Sequence, residues 1–257
     1  MHLSLTYHID GSSLRQNMLL LLSLLAVGSL GSIKCILLGD ETALNVGDVV
    51  QYKDCDDILK SGKYQKPGAY LVYCDFGLNI VTHVIMQQKY GLVSFNKSYK
   101  DYDSGFGNVS EGDFWIGLQN MTKYTNAGYN VLTLTMQDWS NQTKVVRYNN
   151  FRLGTAAEGY RLTIGGYHSA NSDLPDNLYH NNGARFATPD KPDTQNCATN
   201  QGGGWWYNYC TFTLPTGHYY SGGSYTPPAS YYNGIYYKDW HGFAYSLKYI
   251  KMELSTA

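Results

Sequence analysis

The sequence predicts a single α+β domain, and three observations carry the prediction. Several runs alternate apolar and polar residues with the period of a strand, one segment carries the periodicity and end signals of a helix, and the last third loses regular pattern altogether. In chain order, AYLVYC (69–74) and HVIMQQ (83–88) read as strands. Ser110 and Asp113 are both placed to cap a helix through FWIGLQNMTKY that ends near Asn126 and Gly128. In VLTLTMQDW, Leu132, Leu134 and Met136 fall on one face with Thr133 and Thr135 on the other, the pattern of a half-buried strand. SNQT turns the chain, and KVVRYNNFRL and YRLTIGGY follow as further strands. Beyond about Asp173 the chain becomes loops of Tyr, Gly and Pro, closed by a final strand around YSLKYIKMEL. Long irregular segments inside a compact domain usually carry function.

Within that last third, GGGWWYNYC (202–210) sets two tryptophans between a glycine run and a cysteine. Glycine lets backbone lie close to another surface, and tryptophan brings a large apolar area with one N–H that needs a partner. The combination reads as a shaped wall, belonging either to a pocket or to the core.

Composition narrows the function classes. Charged residues make up 15%, against about 25% in an ordinary soluble domain. Tyrosine, of which there are 25, is left with Asn, Ser, Thr and Gly to wet the surface. That palette suits an adaptable recognition surface, although a strand-rich fold that favours aromatics gives the same composition. A net charge of −1 excludes the basic footprint of a nucleic-acid-binding protein.

The apolar run MLLLLSLLAV (18–27) follows Arg15 and precedes GSLGS, so residues 1–31 read as a secretory signal peptide, with Met18 as an alternative start. Ten apolar residues fall short of the roughly twenty that span a bilayer, so the mature chain is expected to be secreted without a membrane anchor. Residues 32–50 form a short leader without collagen-like or heptad repeats, and no linker interrupts 51–257. The sequons at Asn96, Asn108, Asn120 and Asn141 agree with export as glycosylation sites. In an oxidising compartment, sequence proximity favours the pairs Cys55–Cys74 and Cys197–Cys210, leaving Cys35 as a free thiol or the link of a dimer.

Seven stretches in order, DCDDILKSG, VYCDF, GFGNVSEGDFWIGLQNM, YNVLTLTMQDW, YHNNGARFATPD, NCATNQGGGWWYNYC and NGIYYKDWHGFAYSLKYIKME, resemble the fibrinogen C-terminal domain. This is the fibrinogen-related domain of ficolins, tachylectins, angiopoietins and tenascins. The resemblance implies a small N-terminal subdomain closed by Cys55–Cys74, a central twisted antiparallel sheet with flanking short helices, and a loop-rich C-terminal subdomain holding Cys197–Cys210. It further implies a ligand pocket around Tyr209, Cys210 and Thr211, with a cis peptide before Cys210, GGGWWY as supporting wall, and Tyr231, Tyr232 and Phe243 as aromatic lining. A calcium loop is implied ahead of Cys197, where the shortened segment TPDKPDTQNC leaves Asp190 and Asp193 as the carboxylates that would hold the ion. Thr211 stands where the family usually has histidine, and Phe243 lacks the hydroxyl of many lectin members.

The function expected on this basis is a secreted lectin-like protein of innate pattern recognition, binding glycans or acetylated surface ligands. The alternative is a secreted ligand for a cell-surface protein, or a matrix component, using the same surface. Catalysis is not expected: HExxH and GxSxG are missing from the sequence, and Asp101/Asp103 and Asp173/Asp176 read as caps and turns rather than acid–base couples.

Overall fold

The computed structural model describes residues 82–108, 112–228 and 231–256, with the backbone of two short strands, β1 (Lys34–Cys35) and β2 (Cys74–Asp75). These two pair antiparallel with Cys35 opposite Cys74. The signal peptide, Cys55 and nearly all of the first predicted strand lie outside the described residues. No helix among the described residues is long and apolar enough to cross a membrane.

Seven strands form one antiparallel sheet. They are β3 (Thr82–Gln88), β4 (Phe106–Asn108), β5 (Asp113–Trp115), β6 (Val131–Gln137), β7 (Thr143–Leu153), β8 (Leu162–Tyr167) and β11 (Tyr249–Ser255), in the spatial order β4-β5-β3-β11-β6-β7-β8. The C-terminal strand therefore enters the middle of the sheet. Alternation fixes its register: Leu132, Leu134 and Met136 lie opposite Leu254, Met252 and Ile250, and all six are buried. A slip of one residue would turn each set toward water.

The predicted helix begins later than its cap signals suggested. Asp113, Phe114 and Trp115 form β5 instead, and α2 (Leu118–Asn126) starts after Gly117 without a side-chain cap. Tertiary pairing decides this. Trp115 is buried and its Nε1 donates to the Tyr102 carbonyl at 2.9 Å, while the Asp113 carboxylate accepts the N–H groups of Lys89, Tyr90 and Leu92 at 2.6–3.0 Å. Asp113 thus closes the turn after β3 rather than a helix, and Ser110 lies outside the described residues. Gly117 has φ +100°, and a Cβ there would stand 2.8 Å from the backbone of Ser104. A further helix, α1 (Tyr99–Ser104), is closed by a reciprocal capping box between Ser98 and Asp101.

The last third holds little regular structure: α3 (Cys197–Gln201), β9 (Thr213–Leu214) paired with β10 (Tyr236–Tyr237), and α4 (Lys238–His241). It is nevertheless packed. Trp206 lies against Trp115, Phe151, Phe186 and Trp205 at centroid distances of 5.0–6.2 Å, so these loops share one core with the sheet.

Candidate functional site: a disulfide-braced aromatic face

The glycine–tryptophan stretch belongs to the core. Gly202 ends α3 in the left-handed region at φ 71°. Behind it, a Cβ on Gly203 would lie 2.5 Å from the Thr216 carbonyl oxygen, and one on Gly204 would lie 2.5 Å from the Tyr102 ring. Close approach therefore demands glycine at these two positions. Trp205 and Trp206 are fully buried, and Trp206 Nε1 donates to the Tyr160 carbonyl at 2.7 Å. Trp205 Nε1 is buried without a partner. The stretch is part of the core beneath the Cys197–Cys210 turn and offers no indole face to a ligand.

The brace is the Cys197–Cys210 disulfide, expected from sequence proximity, with 5.2 Å between Cα atoms. Beside it, the Asp193 carboxylate accepts the Ala198 N–H at 2.9 Å and the Gln195 N–H at 3.1 Å, fixing the entry to α3. At the other end of the loop the expected cis peptide is not present, since every described peptide is trans. The chain turns instead through two residues in the left-handed region, Tyr209 at φ 48° and Cys210 at φ 67°. Non-glycine residues take this region at a cost and hold it only where their surroundings fix them. The disulfide, and a 2.9 Å bond from the Asn208 N–H to the Cys210 carbonyl, do so here. Tyr209 projects into solvent, 76% exposed.

Thr211 occupies a different position from the one its place in the sequence suggested. It is buried; its hydroxyl donates to the Thr213 carbonyl at 2.7 Å and accepts from Asn181 Nδ2 at 3.0 Å. A hydroxyl so engaged organises the floor.

Tyr231 and Tyr232 stand 44% and 41% exposed. Phe243 stacks on Tyr232 with centroids 5.4 Å apart and planes 24° from parallel. Two residues that the sequence reading missed join this patch to the braced turn. Tyr236, wholly buried, sets its ring edge-on to Phe243 and its hydroxyl against the Thr211 carbonyl; burial pushes its phenol far above the ordinary range. Gln201 donates through Nε2 to the Tyr232 carbonyl at 2.6 Å and to the Tyr236 hydroxyl at 2.9 Å, leaving its own carbonyl oxygen buried and unpartnered. The available signal was its spacing from Cys197: four residues along a helix share a face.

On the other side of Tyr209 lies an open cleft of about 570 Å³, lined among others by Arg185, Lys191, Asp193 and Asn208. This is the region in which calcium was expected. Asp190 Oδ1 accepts from the Tyr99 N–H at 2.9 Å and from the Thr188 hydroxyl at 2.7 Å, Asp193 holds the start of α3, and the Lys191 ammonium sits 3.7 Å over the Tyr99 ring. Calcium takes six to eight oxygens with several carboxylates, whereas no three acidic, histidine or cysteine side chains converge among the described residues. The two carboxylates expected to hold the ion are engaged by Tyr99, Thr188, Gln195 and Ala198 instead, so the side chains here do not fit it as they stand.

The remaining candidates are placed as follows. Asn96, Asn108 and Asn141 are exposed, and Asn120 is half-buried with Nδ2 donating to the Ile116 carbonyl at 2.9 Å. Asp101 caps α1, Asp173 accepts the Val145 N–H, and Asp176 accepts the Tyr148 hydroxyl with the N–H groups of Leu178 and Tyr179. These carboxylates hold turns.

Comparison with known proteins agrees with this geometry. The family model for the C-terminal globular domain of fibrinogen beta and gamma chains matches residues 51–257. Human fibrinogen-like protein 1 is 32% identical over 240 residues, covering 84% of this chain and 76% of the relative. Human angiopoietin-related protein 2 is 38% identical over 216 residues, covering 78% of this chain but 42% of its own length. Human microfibril-associated glycoprotein 4 is 34% identical over 79% of this chain and 85% of its own. Among solved structures, the fibrinogen-like globe domain of human ANGPTL2 superposes with a TM-score of 0.68 at 31% identity, covering 91% of this chain and 97% of that domain. Lamprey fibrin D-dimer, complexed with the peptide Gly-His-Arg-Pro-amide, superposes with a TM-score of 0.72 at 26% identity, covering 94% of this chain and 82% of its own. The chain belongs to the fibrinogen C-terminal domain family.

Proposed function

We propose that this chain is a secreted, non-catalytic recognition protein whose C-terminal face binds acetyl-bearing glycans in the manner of a lectin, with a role in innate pattern recognition. The observation that supports it best is the half-exposed Tyr232–Phe243 stack, anchored through Tyr236 and Gln201 to the disulfide-braced turn. Aromatic faces with a few fixed polar groups suit a sugar ring and its acetyl methyl. The backbone of Tyr232 and the ring of Phe243 are held from behind by Gln201 and Tyr236, which limits the ordering cost of binding. The apolar run and sequons of the sequence support export.

A second reading, a ligand or matrix component that engages a protein or peptide, is favoured by one comparison: a structural neighbour is complexed with a peptide. Binding of the purified full chain to acetylated and non-acetylated sugars, and to short basic peptides, separates the two. Saturable binding competed by free N-acetyl sugars, lost in Tyr232→Ala and equal in calcium and in chelator, is the expected result. Peptide binding without sugar binding would move the assignment to the second reading.

A further inference from the structure

A second cleft, of about 580 Å³, lies away from the disulfide-braced turn, where the central strands of the sheet emerge. Its floor comes from three adjacent strands: Gln87 of β3, Tyr249 at the start of β11 and Gln137 at the end of β6. Tyr249 and Gln137 are direct cross-strand partners, and the Tyr249 hydroxyl donates to Gln87 Oε1 at 3.0 Å. Neighbouring strands of one sheet hold such groups to a fixed geometry. The walls are aromatic. Trp139 and Tyr219 meet edge-to-face at 6.1 Å, Trp139 Nε1 donates to the Ser246 carbonyl at 3.0 Å, and the Tyr219 hydroxyl shares its proton between the carbonyls of Lys89 and Lys248, each 3.1 Å away. Both rings are therefore locked by polar ties at their edges.

Two ammonium groups line the same cleft, and no carboxylate does. Lys89 is exposed, its Nζ 4.8 Å from the Tyr90 ring; Lys248 Nζ donates to Asn141 Oδ1 at 2.5 Å. Neither is in an ion pair among the described residues. Two neighbouring acids are buried and engaged elsewhere: Asp113 accepts the N–H groups of Lys89, Tyr90 and Leu92, and Asp138 accepts those of Ser140 and Gln142 and lies 3.1 Å from His241 Nε2. Aromatic walls, side-chain amides and two cations without a counter-ion form a chemical set that complements a sugar ring bearing a negative group.

From this arrangement we infer a second binding site, independent of the C-terminal face, that takes an anionic saccharide: its ring against Trp139 and Tyr219, its hydroxyls toward Gln87 and Gln137, and its anionic group on Lys89 and Lys248. Sugar sulfate esters and sugars with a free carboxylate share this chemistry, and the experiment separates them.

The test is calorimetric titration of the secreted full chain, and of its Lys89→Ala/Lys248→Ala and Tyr232→Ala variants, with a fully N-sulfated heparin-derived hexasaccharide, trigalacturonic acid as an acetyl-free carboxylated trisaccharide, and inorganic sulfate. The expected result is saturable binding of one or both saccharides. The double lysine variant should weaken it at least about tenfold, as loss of two near-surface charge contacts implies, added salt should weaken it further, and Tyr232→Ala should leave it unchanged. Preference for the hexasaccharide identifies sulfate as the anion read, and preference for the trisaccharide identifies carboxylate. An unchanged affinity in the double lysine variant overturns the site. So does loss of binding in Tyr232→Ala, or equal competition by inorganic sulfate, which would reduce the cleft to a general anion contact. A Trp139→Leu variant, which keeps an apolar side chain and removes the ring, gives a second reading: unchanged saccharide affinity there would remove the Trp139 wall from the proposal.

Discussion

Tyr236 stands edge-on to Phe243, ring centroids 5.2 Å apart, while its hydroxyl reaches the Thr211 carbonyl at 3.3 Å. One buried side chain therefore ties the exposed aromatic patch to the turn that carries Cys210. Replacing it by phenylalanine keeps the ring and removes the hydroxyl, so the Thr211 carbonyl loses this bond and Gln201 Nε2 keeps only its bond to Tyr232. Tyr236→Phe is expected to lower unfolding stability by about 1–3 kcal/mol, the cost of leaving buried polar groups short of partners. It should also weaken ligand binding on the C-terminal face. Urea unfolding beside a binding isotherm measures both, and a loss of stability with intact affinity would uncouple the patch from the turn.

The disulfide closes a loop with a sequence separation of 13. Chain entropy puts the stabilisation from a loop of that size at about 3 kcal/mol. Two left-handed residues depend on it as well. Cys197→Ser/Cys210→Ser should therefore reduce the yield of secreted protein severely and abolish binding at the aromatic face. Normal secretion with wild-type affinity would remove this turn from the site.

Two exposed carboxylates set an acid limit. The Ser98 hydroxyl and then its N–H hold Asp101 below the usual carboxylate range, and the Thr155 N–H and then its hydroxyl do the same for Glu158. A depressed folded value means stability that is present above the ordinary carboxylate pKa, about 4, and lost as pH falls through the folded values. The thermal midpoint should therefore fall as pH drops below about 4. Ser98→Ala should make that fall shallower. An NMR titration in which Asp101 keeps its depressed value in Ser98→Ala would show that the capping box is not the cause.

Burial raises the phenols of Tyr102, Tyr148, Tyr236 and Tyr237 far beyond the ordinary tyrosine value, desolvation being the leading cause in each. Stability from these neutral phenols is complete below about pH 10, the pKa of an exposed tyrosine, and is lost as pH rises toward the folded values. Ultraviolet titration should show only part of the 25 tyrosines ionising reversibly at about pH 11, the remainder appearing abruptly with unfolding. A single smooth transition for all of them would contradict the buried positions.

The tyrosines also show where sequence reasoning stopped. Composition suggested a tyrosine-rich recognition surface, and Tyr209, Tyr231 and Tyr232 are exposed, yet Tyr102, Tyr148, Tyr160, Tyr207, Tyr236 and Tyr237 are buried with their hydroxyls tied to backbone or carboxylate oxygens. Counting a residue type cannot tell these roles apart, because the same amphipathic side chain serves both once a partner is supplied.

By itself the sequence determined the strands whose faces alternate, VLTLTMQ and YIKMELS, since burying one face of a sheet leaves a period of two in the chain. It also determined the cysteine pair, through proximity, and the family, through ordered motifs. Only tertiary structure decided that Asp113 opens a strand rather than a helix, because the three N–H groups it satisfies belong to residues more than twenty positions away. Only tertiary structure, likewise, made Gln201 and Tyr236 the link between the braced turn and the aromatic patch, and gathered Lys89, Trp139 and Lys248 into one cleft. Those relationships join distant parts of the chain, and no local periodicity records which side chains a fold will bring face to face.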